Sequence, residues 1–257
     1  MAAGSRIDFG RIAEDYARWR PGFPDSLFER LLALDVGRPG QKVLDLSSGT
    51  GTLARALARR GCEVTAIERS EALLAEAARI DASARIPVRY FHAPAEQTGL
   101  SAEAFEAVVA GQCWHWVDRP AASAEARRVL VRGGRLAIAQ FDWLALPGNV
   151  GETTWRLITL YSPKGLLGDG TGLYGAWLRD LGLAGFTDLQ SFSFDVPVTW
   201  SHEAWRGRIR ASAAVGAVLD PEQLALFDRD LRRLLESKYK DPIDVLHRCF
   251  CIVARAG

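Results

Sequence analysis

Apolar positions along this 257-residue chain fall into short runs separated by longer stretches with helical spacing. Val43, Leu44 and Leu46 make a run too short for a helix, which reads as a buried strand. Behind it Leu53, Ala54, Leu57 and Ala58 recur at helical spacing, with Gly49 and Gly51 supplying the permissive backbone of a tight turn between the two. The same rhythm predicts strands at 42–46, 63–67, 88–92, 106–110 and 135–141, each separated from the next by a helix-length segment. Such alternation calls for an α/β architecture with a parallel sheet and helices on both faces. Helices are predicted over 9–20 and over 25–34, the second started by Asp25 and Ser26 after Pro24.

After Phe141 the pattern changes. Residues 142–186 read as two aromatic-rich helices around a glycine loop at 165–175. A sixth strand alternates through 187–196, a helical pair follows at 201–217 and 221–239, and a last strand at 247–254. The chain then divides into an N-terminal helical segment at 1–36, a cofactor-binding core at 37–141, and cap helices plus the last two strands at 142–257. All three are read as parts of one domain. The late insertions are expected to stack as a cap, with Trp155, Tyr161, Tyr174 and Trp177 mostly buried in it.

Composition narrows the class. With 48% hydrophobic and 25% charged residues the chain can build a sizeable core and a wet surface. A formal charge of +1 provides no field for gathering nucleic acid or an acidic membrane, so neither is expected as a partner. No apolar run approaches the ~20 residues of a membrane span. Arg6, Asp8, Arg11 and Glu14 interrupt any signal-like start, and the expected location is cytoplasmic. The four cysteines lack the paired spacing of a zinc site, so no metal is expected and buried reduced thiols are.

The candidate chemistry sits in VLDLSSGTGTLARALARRG at 43–61, followed by VTAIER at 64–69. A strand, a glycine turn, a helix and a second strand ending in Glu68 form a mononucleotide-binding half of an open α/β sheet, with the ligand at the carboxyl ends of the strands. The run from Gly49 to Ala54 satisfies G-x-G-x-x-G/A, so a dinucleotide has to be considered. Asp45, however, would set a negative charge against a pyrophosphate, and no Walker lysine is present for a triphosphate. A ligand with an amino acid and a ribose but no phosphate suits an acid at both strand ends, and S-adenosyl-L-methionine (SAM) is such a ligand. Glu68 would accept the ribose hydroxyls.

These residues resemble the class I SAM-dependent methyltransferases, whose acid-x-Gly-x-Gly-x-Gly pattern is met by Asp45, Gly49 and Gly51, with Ser47 in place of the first glycine. HAPAEQTGL at 92–100 is similar to the segment that packs on adenine, centred on Ala95 and Glu96. FEAVVAGQCWHWVD at 105–118 resembles the fourth strand and its His-Trp exit loop, and RRVLVRGGRLAIAQF at 127–141 the helix, Gly-Gly turn and fifth strand. YARWRPGFP at 16–24 resembles the N-terminal segment of the trans-aconitate-type, small-molecule subgroup. The resemblance implies a Rossmann-like, seven-stranded, mostly parallel sheet with helices on both faces and a helical cap.

It also implies roles. Tyr16, Arg20, Asp45, Ser47, Gly49, Gly51, Glu68, Arg69, Ala95, Glu96 and Gln112 are the expected cofactor-binding residues, with Arg20 able to fork onto the methionyl carboxylate. His115, on the loop leaving the fourth strand, is the candidate base, and Tyr174, between Gly172 and Gly175, the candidate aromatic wall. The leading function is methyl transfer to a small molecule. Two alternatives stay open: intramolecular cyclisation of the aminocarboxypropyl group with release of methylthioadenosine, and a non-catalytic SAM-binding module. Acceptor atom, substrate and oligomeric state are left open.

Overall fold

The structure, a computed structural model, describes residues 18–163 and 170–257. Its elements in chain order are α1 (Asp25–Ala33), β1 (Lys42–Leu46), α2 (Thr52–Arg59), β2 (Glu63–Glu68), α3 (Glu71–Ala84), β3 (Val88–His92), β4 (Phe105–Gly111), α4 (Arg119–Val129), β5 (Leu130–Trp143), α5 (Val150–Tyr161), α6 (Ala176–Leu183), β6 (Thr187–Trp200), α7 (His202–Arg210), α8 (Pro221–Lys238) and β7 (Ile243–Arg255). Seven strands form one sheet in the order β3-β2-β1-β4-β5-β7-β6. β1 pairs in parallel with β2 and β4, β2 with β3, and β4 with β5. Ladder bonds from Ala256 to Gly134 and from Leu144 to Leu246 run in opposite senses, so β7 returns antiparallel to β5. The architecture is the Rossmann-like sheet expected from the sequence. The strand order reverses at β1, between β2 and β4, which is where such sheets bind ligands.

Local chemistry explains the element ends. Ser70, Asp118, Asn149, Ser201 and Asp220 each accept a backbone N–H as N-caps of α3, α4, α5, α7 and α8. Two elements differ from the sequence reading. Gly133 and Gly134 lie inside β5, which starts at Leu130 directly after α4 rather than beyond a turn. Phe105 faces Leu130 and Ala107 faces Arg135, so the extra β5 residues bulge out, with Gly133 at φ 79°. α7 stops at Arg210, and the run of small residues after it turns rather than continuing to 217. The helix expected over 9–20 lies almost wholly outside the described residues; Arg18 and Trp19 are helical.

Contacts divide the chain into two compact units. Of the described residues, one holds 22–141, 173–194 and 249–257, and the other holds 18–21, 142–163, 170–172 and 195–248. The first is built on the parallel strands. Leu44, Leu46, Val108, Leu136 and Ile138 form its core with Trp114, and Trp177, Leu181, Phe186 and Phe250 belong to the same cluster. The second is helical and aromatic: Trp205 and Phe227 are fully buried with Ile209, Leu231 and Leu235, and Trp143, Leu157 and Tyr161 pack against them. Trp205 meets Trp143 and Trp200 edge-on, and its indole N–H donates to Thr154 at 3.1 Å. Burial holds His247 in that core down at about 4. The four aromatics expected in one cap therefore sort into both units, Tyr174 and Trp177 in the first and Trp155 and Tyr161 in the second. Trp177 is buried; the other three are half-buried.

All four cysteines are buried, and Cys62, Cys113 and Cys251 are free thiols. Among the described residues no group of three or more His, Cys, Asp or Glu could hold a metal ion, and no helix is long and apolar enough to cross a membrane.

Candidate functional site

Two carboxylates stand at the ends of adjacent parallel strands, β1 and β2, and both are buried. Asp45 is 1% exposed and Glu68 5%. Asp45 Oδ2 accepts the Ala54 N–H in the first turn of α2 at 3.0 Å, so the acid caps the helix that follows its own strand. Its Oδ1 is buried and has no hydrogen-bond partner among the described residues. Burial, joined by the nearby Glu68 carboxylate and opposed by the Ala54 N–H, pushes Asp45 up to about 8. Glu68 Oε2 accepts Gly49 N–H at 2.9 Å and Oε1 accepts Ser70 N–H at 2.8 Å. One carboxylate thus ties the glycine loop to the end of β2.

The loop between the acids has an unusual backbone. Ser47, Gly49 and Gly51 all have positive φ, at 54°, 58° and 77°. Ser47 stands in the left-handed region that glycine adopts freely, so the serine keeps the glycine conformation at a cost of about 1–2 kcal/mol. Gly51 cannot take a side chain: a Cβ there would land on the Tyr90 hydroxyl. Neither contact follows from a motif.

A donor-rich, phosphate-free ligand fits these groups. Asp45 presents a buried acceptor, and each Glu68 oxygen accepts only one N–H among the described contacts. A pyrophosphate would meet two acidic side chains there, with Asp45 adding its charge only when ionised.

The other predicted residues have the following places in the fold. Ala95 is buried after β3, and Glu96 Oε1 accepts the Asp118 N–H at 2.9 Å. The Arg69 side chain is exposed, while its carbonyl oxygen lies 2.9 Å from His92 Nε2. Gln112, at φ 56°, donates its backbone N–H to Ala139 and its side-chain amide to Phe141 O at 3.4 Å, joining the β4 exit to the end of β5. Arg20 is half-buried and belongs to the second unit. Tyr16 lies outside the described residues.

His115 is half-buried beside Trp116, ring centroids 4.7 Å apart. Gln140 Nε2 lies 2.8 Å from its Nδ1. That contact holds the imidazole against β5. Sequence reasoning missed Gln140, although a glutamine amid the apolar β5 run was the available signal. Tyr174 stacks on Trp177 with centroids 4.2 Å apart and lies 5.8 Å from Phe250, so one ring face is already covered.

Comparison with known proteins gives the family. A family described as "Methyltransferase domain" matches residues 44–138, spanning both acids and the loop. An uncharacterised methyltransferase of Mycobacterium tuberculosis (strain H37Rv) is 33% identical over 167 residues, covering 61% of this chain and 65% of that protein. The ubiquinone biosynthesis O-methyltransferase of Stutzerimonas stutzeri is 30% identical over 159 residues, covering 58% of this chain and 67% of that protein. Among solved structures, a type II methyltransferase from Anaeromyxobacter dehalogenans shares the fold at TM-score 0.66 and 24% identity, covering 92% of this chain and 98% of that one. The chain spans 65% of the length of the first curated relatives it matches. It belongs to the class I SAM-dependent methyltransferases. The family's cofactor is S-adenosyl-L-methionine. The trans-aconitate-type subgroup gains no separate support.

Proposed function

We propose that the protein is an enzyme transferring a methyl group from SAM to a small-molecule acceptor. The observation that carries this reading is the pair of buried acids, Asp45 and Glu68, on either side of a loop held in left-handed backbone. When bound, SAM supplies a methyl group already activated by a charged sulfonium. The chain's own residues therefore have mainly to bind, orient and exclude water, and alignment can contribute about 7–11 kcal/mol. Asp45 Oδ1 and the Glu68 carboxylate hold donors of the cofactor, while Ser47, Gly49 and Gly51 shape the loop beside them. Arg20, Arg69, Ala95, Glu96 and Gln112 complete the proposed binding set, as does Tyr16.

His115 would touch the acceptor. Gln140, 2.8 Å from its Nδ1, fixes the ring's orientation, and His115 stands as the candidate base toward that acceptor. A net charge of +1 and relatives named for quinone substrates favour a small acceptor over nucleic acid. Incubation with SAM and a protein-free metabolite extract, followed by mass spectrometry of the adenosine product, tests the reading. S-adenosylhomocysteine is expected. Methylthioadenosine in its place would overturn methyl transfer, and no turnover with any fraction would leave a binding module.

A further inference from the structure

Three residues that no strand-end motif includes converge on the glycine loop. Arg55 lies on α2, Asp81 on α3 and Tyr90 on β3. Asp81 is 3% exposed, a charge taken almost wholly out of water. Arg55 Nε pairs with Asp81 Oδ1, and the Tyr90 hydroxyl donates to Asp81 Oδ2 at 2.6 Å, so each carboxylate oxygen has a donor. Arg55 Nη2 turns the other way and donates to the Thr50 carbonyl at 2.8 Å. The Tyr90 hydroxyl fills the space where a side chain on Gly51 would go. Two consecutive loop residues, Thr50 and Gly51, are therefore fixed by one network, the first through its carbonyl and the second by contact.

Apolar packing of similar volume would stabilise the fold as well as a buried ion pair does. What the charged trio adds is direction. A guanidinium reaches two acceptors on different elements through separate nitrogens of one rigid plane, whereas a lysine has a single nitrogen on a flexible stem. We propose that Arg55, Asp81 and Tyr90 are positioning residues for the cofactor loop, which set SAM affinity by holding Thr50 and Gly51 in their bound conformation. The inference rests on the family's use of this loop for SAM and deepens that reading. The loop keeps its left-handed backbone only while the network stands behind it.

Tyr90→Phe removes one hydroxyl and keeps the ring, and Arg55→Lys keeps the charge and loses the fork. Titration calorimetry with SAM and with S-adenosylhomocysteine, at a temperature where circular dichroism shows each variant folded, reads the effect. Each variant is expected to bind both ligands about tenfold more weakly, the scale for losing a hydrogen bond to a charged group. Amide exchange is expected to quicken over 47–53 and to stay as in wild type over β4 and β5. Gly51→Ala adds an independent arm: its loss of affinity should be smaller in the Tyr90→Phe background, because the hydroxyl it strikes is gone. Wild-type affinity and unchanged loop exchange in both variants would overturn the proposal, as would uniformly faster exchange with no selectivity for the loop. If wild type itself ignored SAM, the reading of the site would fall, while loop exchange in the variants would still report on the network.

Discussion

At single residues the site trades stability for readiness to bind. Asp45 and Glu68 are buried acids, the first with an oxygen that has no partner among the described residues, and Ser47 holds a backbone conformation that costs a serine energy. The acids and the glycines were legible in the sequence because they fall at the end of short apolar runs, where a strand must stop. Arg55 and Asp81 were not, since charges on amphipathic helices ordinarily face water. Asp81 nevertheless follows Leu73 and Ala77 at four-residue steps, on the buried face of α3, and an acid on that stripe calls for a buried partner. At Tyr174 the flanking glycines suggested a ring brought close to a ligand, and the structure adds what the sequence did not show, a stack on Trp177 that covers one face. Tyr174→Ala is expected to lower stability by about 1–3 kcal/mol in urea unfolding, from lost stacking and packing. Per folded molecule, we expect it also to lower turnover more than His115→Ala, because alignment outweighs base catalysis here. Tyr174→Phe should keep both stability and activity, and its failure in turnover alone would assign a role to the hydroxyl.

Among elements, the parallel strands and the helix with its capping box at Asp220 follow the periodicity closely, because burial on one or both faces leaves a clear pattern. The departures come where backbone geometry, which hydropathy does not record, decides. β5 runs through Gly133-Gly134 as a bulge, and α7 ends early in a run of small residues with no long apolar stripe to extend it. Gly134 is closed in by the carbonyl oxygens of Glu106 and Val131, each 3.0 Å from where a Cβ would stand. Backbone atoms cannot swing aside, so Gly134→Ala is expected to cost about 1–3 kcal/mol by the usual penalty of overpacking. Chemical denaturation reads this directly. A neutral result would mean that the bulge relaxes freely.

For the whole molecule, three buried groups set opposed pH dependences. Asp45 stands at about 8, above its ordinary 3.8, so the stability it contributes is full below 3.8 and is lost as pH rises through 8. His247 stands at about 4, below its ordinary 6.5, and its contribution is present above 6.5 and lost as pH falls through 4. Glu125, held at about 2 chiefly by Arg128, contributes above 4.5 and fails only as pH falls through 2. The three together give the unliganded protein a Tm plateau between about pH 4.5 and 6.5, where the Asp45 loss and the His247 gain cancel, with an alkaline limb above it belonging to Asp45 and an acid limb below it belonging chiefly to Glu125. Asp45→Asn should flatten the alkaline limb and raise Tm at pH 8 while weakening SAM binding. An unchanged alkaline limb in scanning calorimetry would show that Asp45 is ionised throughout.

The central claim is that the two strand-end acids hold SAM, and titration calorimetry of wild type against Glu68→Ala, with SAM and with NADH, tests it most directly. Wild type is expected to bind SAM and ignore NADH, and the variant to bind SAM more weakly by about 1–3 kcal/mol, the usual scale for lost charged hydrogen bonds. NADH bound with SAM ignored, or SAM bound equally well without Glu68, would contradict it.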